Sequence, residues 1–150
     1  MKRIAFYLAT AATLSVAVTS GQQPPAGGGY TAAQAVDGRA AYEGMCAGCH
    51  MPDLRGNNEA SALTGVSFLN TWRTRTAREL IQFIQTSMPP AGPRLTVDQA
   101  VVLSAYILQA NGARAGAQPL TPANATAIGA LASGQAPAAP PSADAPAGGA

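Results

Sequence analysis

Both cysteines and the single histidine of this 150-residue chain fall within five consecutive positions, Cys46-Ala-Gly-Cys49-His50. Two thiols three residues apart face the same side of a helical turn, where each can form a thioether with one vinyl group of a haem. His50, the next residue, then projects so that its imidazole reaches the iron as proximal ligand. The spacing predicts one covalent haem c, held through Cys46 and Cys49. Competing chemistries fit less well. A Cys46–Cys49 disulfide closes a tiny loop and stabilises little. A thioredoxin-like redox pair lacks its strand–helix surroundings, and a zinc site needs four ligands where only three soft ones exist.

The sixth iron position follows by elimination. There is no second histidine, and the only lysine, Lys2, lies in a segment expected to be removed. Met45 and Met51 flank the attachment motif and are tethered on the His50 side of the ring. Met88 lies 38 residues after His50 in Ser87-Met-Pro-Pro90, far enough to pass around the macrocycle edge. His50 and Met88 are therefore the expected iron ligands; the alternative for Met88 is a side chain that fills a core gap. Thioether ligation favours reduced iron and raises the potential, as an electron carrier requires.

The rest of the chain must position these groups. Its apolar content is largely alanine, 34 residues, against 26 Leu, Ile, Val and Phe together, and 11% of the residues are charged. A large multi-domain enzyme is excluded by length. Beyond Arg3 there are seven Arg, seven acids and no Lys, a neutral balance that excludes electrostatic binding of nucleic acid. Residues 1–20 read as a secretory signal peptide: Lys2-Arg3, an apolar run, then small residues. Residues 21–29 read as a Pro/Gly linker and 30–120 as the domain. Residues 121–150 read as an Ala/Pro/Gly-rich tail, mostly disordered, within which Ile128 and Leu131 (and Leu120 just before it) could dock on the domain. No other segment is long and apolar enough to span a membrane. A domain of about 90 residues with so few large apolar side chains needs a staple, which a haem supplies.

Three helices are legible. The first runs from about Thr31 toward Cys46. The second opens on the capping box Thr76-Ala-Arg-Glu79 and stops before Pro89-Pro90. The third opens on Thr96-Val-Asp-Gln99, carries Val102, Tyr106 and Leu108 along one face, and ends at Asn111-Gly112. No stretch has the period-2 alternation of a strand, so the expected fold class is all-α.

Gly38 and Tyr42 before the Cys-x-x-Cys-His run, then Asp53-Leu54, Gly56, Leu63, Gly65, Phe68, Trp72, Leu80, Met88-Pro89, Leu95, Ala105-Tyr106 and Asn111-Gly112, make the chain resemble a class I c-type cytochrome. The likeness is to the single-haem domains associated with quinoprotein (PQQ-dependent) alcohol dehydrogenases. It implies a cytochrome c fold of three to four short helices around one haem. It implies that Gly38 and Tyr42 meet the Tyr106 face of the last helix. Trp72 is placed by the haem propionates, or else as a core aromatic facing the ring edge; Arg73 or Arg75 pairs with the propionates, or both are solvated. Relatives often carry a proline before the position of Leu63, where a carbonyl orients the haem histidine. Here that stretch is Glu59-Ala-Ser-Ala62, which leaves the carbonyl unassigned. The lysine-rich docking face of mitochondrial cytochrome c is absent.

The resulting expectation is an exported monohaem cytochrome c, periplasmic or secreted and monomeric. It carries single electrons between redox partner proteins: a dehydrogenase as donor, and an oxidase or another cytochrome as acceptor. The alternatives are a five-coordinate haem protein acting as peroxidase or gas sensor, and a non-redox subunit stapled by its haem.

Overall fold

A computed structural model describes residues 28–135. The expected signal peptide, the linker up to residue 27 and the tail from residue 136 lie outside the described residues. Six helices follow in order: α1 (Ala32–Met45), α2 (Ala47–His50), α3 (Gly65–Trp72), α4 (Ala77–Ser87), α5 (Val97–Ala110) and α6 (Ile128–Leu131). The count exceeds the three or four expected because α2 and α6 are single turns of four residues. Such turns leave no periodic pattern in a sequence. Among the described residues there are only two isolated β-bridges and no strand.

The three longest helices start by the same chemistry. Thr31, Thr76 and Thr96 each accept from the backbone N–H three residues on, and Gln34, Glu79 and Gln99 reach back to the N-cap N–H. Each reciprocal pair satisfies two donors that the helix cannot. The boxes at Thr76 and Thr96 match the sequence reading. The third, at Thr31, was equally legible in Thr31-Ala-Ala-Gln34. α5 ends at Asn111, and Gly112, at φ +86°, takes the left-handed conformation that follows it.

α1 and α5 cross so closely that a Cβ on Gly38 would overlap the Val102 carbonyl and lie 2.9 Å from Tyr106 Cβ. Beside this contact the Tyr42 and Tyr106 rings meet with centroids 5.4 Å apart. α5 is more deeply embedded than a one-face helix. Val102 and Tyr106 are half-buried, while Ala100, Val101, Leu103, Ser104, Ala105, Ile107 and Leu108 are buried. The single face expected from Val102, Tyr106 and Leu108 is thus one of several, because α5 packs against both α1 and α4.

Packing also continues past residue 120, the boundary that composition suggested. Leu120 and Ile128 are buried, and Leu120 exchanges hydrogen bonds of 2.8 and 2.9 Å with the Gln34 side chain. Residues 121–132 are ordered mainly through backbone hydrogen bonds to the α3–α4 corner, which an Ala/Pro/Gly composition does not reveal.

Replacing Gly38 by Ala forces the α1–α5 crossing apart. It is expected to lower unfolding stability by about 1–3 kcal/mol, read by denaturant titration of the purified protein; an unchanged midpoint contradicts the close crossing.

Candidate functional site

α1 runs directly into the attachment motif. The Cys46 N–H donates to the Tyr42 carbonyl (2.9 Å), and the His50 N–H donates to the Cys46 carbonyl (2.9 Å). Cys46 and Cys49 therefore sit on one turn, both as free thiols, the first half-buried and the second exposed. Burial, reinforced by neighbouring Cys49, pushes the Cys46 thiol pKa up.

The chain reverses immediately after His50. Met51 has φ +64° and ψ +151°, a region almost reserved for glycine. Three hydrogen bonds hold it there. Tyr42 Oη and the Leu54 N–H donate to the Met51 carbonyl (2.6 and 3.1 Å), and the Gly56 N–H donates to the His50 carbonyl (3.0 Å). Burial raises the Tyr42 phenol pKa, so the donor stays protonated at any ordinary pH.

His50 Nδ1 lies 2.8 Å from the Ser61 carbonyl. A carbonyl oxygen only accepts, so Nδ1 carries the proton and Nε2 keeps a lone pair for a metal. Ser61 thus fills the role the sequence left unassigned, in the segment where relatives often carry proline. Its loop is fixed from two sides. The Leu63 N–H donates to the Leu54 carbonyl (2.8 Å). Buried Asn111 donates to the Leu63 carbonyl (2.9 Å) and accepts from the Gly65 N–H (2.9 Å).

These elements surround an open apolar cleft with a cavity volume of about 110 Å³. Its walls include Cys46, Cys49 and His50, with Leu80, Phe83, Ile84 and Met88 from α4 and its end, Leu103 and Ile107 from α5, and Trp72. Met88 follows α4 as its C-cap. Met45 also lines the wall, with its sulfur 3.9 Å from Gln99 Nε2. Met51 is exposed, its sulfur 3.7 Å from Asn57 Nδ2.

A wider cleft of about 720 Å³ adjoins the first. It shares Cys49, His50, Trp72 and Met88 and adds Ser61, Ser67, Thr71 and Arg75. Trp72 is buried between Phe68 (stacked, 6.2 Å) and Phe83 (edge-on, 5.4 Å), with the Arg75 guanidinium 5.0 Å above its ring. Both of the arginines singled out are exposed; Arg75 reaches a cleft wall, whereas Arg73 lines neither cleft. Phe83, which the sequence places at helical spacing with Leu80 and Ile84, lines the wall, as does Ile107, which lies outside the face expected for the third helix. Asn111 was legible as a helix end, but its bonds to the 63–65 loop, like that of Ser61 to His50, are long-range and leave no local signal.

Two unpaired thiols on one turn, an imidazole with Nε2 free, a thioether and an apolar enclosure together fit a haem. This is the site of a c-type cytochrome domain. The family model described as cytochrome c oxidase, cbb3-type, subunit III matches residues 33–107, half of the chain, and the chain belongs to that family. Comparison with curated proteins and with solved structures gives no significant match. The chain accordingly has an all-α cytochrome c fold, carries covalent haem c with its iron, and serves electron transfer rather than enzymatic turnover.

Met51→Gly relieves a strained backbone of about 1–3 kcal/mol against a glycine entropy cost of about 0.5–1 kcal/mol. Denaturant unfolding should show about 1 kcal/mol of stabilisation; a loss of stability contradicts the strain.

Proposed function

We propose that the protein is an exported monohaem cytochrome c whose iron is ligated by His50 and Met88, with Cys46 and Cys49 as the covalent tethers. The observation that carries this reading is that all four residues line one apolar cleft. Bound haem supplies a one-electron iron couple. The chain's residues do the rest. Ser61 holds the imidazole proton at Nδ1, so the other nitrogen is presented as a ligand and made more basic. Leu80, Ile84, Leu103 and Ile107 exclude water, which with thioether ligation favours the reduced iron. Trp72 forms the wall beside the propionates, and Arg75, rather than Arg73, is their counter-charge.

The partners are redox proteins. The family description names an oxidase subunit, and the resemblance to quinoprotein-associated domains suggests a dehydrogenase. We read the chain as carrying electrons from an exported dehydrogenase to a downstream oxidase or cytochrome. No helix among the described residues is long and apolar enough to cross a membrane, which agrees with a carrier that diffuses or is tethered through residues outside them. Val36 and Val66 are exposed, as are Met45 and Phe83 at the cleft, and the neutral charge balance argues against strong electrostatic steering.

Met88→Ala tests the ligation. The Met–iron charge-transfer band should vanish. The potential should also fall by several tenfold steps in the reduction equilibrium, each ~59 mV for one electron. A spectrum and potential unchanged by the substitution assign the sixth position elsewhere.

A further inference from the structure

We propose that residues 119–134, which follow the family-matched region, form a positioning strap that fixes Arg75 at the cleft mouth and thereby raises the iron potential. The inference rests on the haem-binding reading above.

The strap grips the Trp72–Arg78 corner through its backbone. The first N–H groups of α4 have no partner within the helix. Two of them, on Ala77 and Arg78, donate to the Thr126 and Asn124 carbonyls at 3.0 and 2.8 Å. In the opposite direction, the Ile128 and Gly129 N–H groups donate to the Arg75 and Arg73 carbonyls at 2.8 and 2.9 Å. Thr76 and Ala127 form an antiparallel bridge between these pairs. The strap therefore reads the corner from Arg73 to Arg78 from both sides.

Two residues keep it in place. Ile128 is fully buried. Gly129 lies so close that a Cβ would stand 2.9 Å from the Arg73 carbonyl. The strap also sorts the arginines. Arg78 Nη2 reaches the Ala123 carbonyl at 3.3 Å, while the Arg75 guanidinium lies over Trp72 at the wide cleft. Among the described residues the ion pairs are Arg39–Glu43 and Arg55–Asp53. Nearby Glu79 is committed to Thr76, whose N–H and hydroxyl it accepts from at 2.7 Å. Arg75 makes no ion pair among the described residues, and its exposed guanidinium lines the wide cleft, although Glu79 is near enough to attract it.

One-electron reduction removes a positive charge from the iron, so a fixed guanidinium at the mouth favours the reduced state. The strap fixes the Arg75 main chain, and the exposed side chain is directed over the cleft by its contact with Trp72; a guanidinium that instead swings into water has its charge screened.

The test is potentiometric titration of the full haem-loaded chain. Arg75→Gln should shift the equilibrium toward the oxidised form about tenfold, ~59 mV. Gly129→Ala, which pushes the strap off the corner, and Ile128→Ala, which removes its anchor, should each shift it in the same direction by a smaller amount. Combined with Arg75→Gln, neither should add to it, since groups acting through one partner are not additive. The charge-transfer band should persist throughout. Strap variants with the wild-type potential, or shifts that add fully to that of Arg75→Gln, overturn the proposal. If Gly129→Ala does not accumulate, Ile128→Ala decides by the same comparison. Absence of covalent haem from the wild-type chain would instead remove the reading beneath it.

Discussion

α4 and α5 pack together but leave an apolar cleft beside their contact. Leu80, Ile84, Leu103 and Ile107 converge on a cleft whose remaining wall is the turn carrying Cys46, Cys49 and His50. Everything else in the fold follows from holding that turn against those helices. α1 delivers it and is pinned to α5 at Gly38. Tyr42, on the same helix, holds the reversed Met51 carbonyl. A domain with so little large apolar surface is stable when its centre is shared with a cofactor, and the geometry is arranged around one.

A single imidazole hydrogen bond links this packing to chemistry. Ser61 fixes the His50 tautomer, and Asn111 fixes the loop that carries Ser61. Asn111 is also the residue at which α5 ends and to whose carbonyl the Gly134 N–H donates. The C-terminal stretch, the last long helix and His50 are therefore linked through Asn111 and the 61–63 loop by hydrogen bonds.

Much of this was legible in the sequence where the signal is local. Cys46, Cys49 and His50 announce themselves by spacing. Thr76 and Thr96 mark helix starts through three-residue capping boxes, and Asn111-Gly112 marks a helix end. Gly38 and Tyr42 were placed against Tyr106 by resemblance, and the crossing has that geometry. What escaped was non-local or composed of small residues. Ser61 is defined by a loop folding back over eleven residues, with no proline to flag it. The sequence admits docking of Leu120 and Ile128, which are buried, but the main-chain bonds that hold the strap around Ile128 leave no trace in its Ala-rich composition. Arg73 and Arg75 are indistinguishable by pattern; only the position of the Arg75 side chain over Trp72 at the cleft separates them.

The central claim is that one haem is bound covalently through Cys46 and Cys49. The most direct measurement is the intact mass of the exported, mature chain under denaturing conditions, with thiol titration on the same sample. The account predicts the polypeptide mass plus one haem, surviving denaturation, and no titratable thiol. A mass equal to the polypeptide alone, with two free thiols, would contradict it.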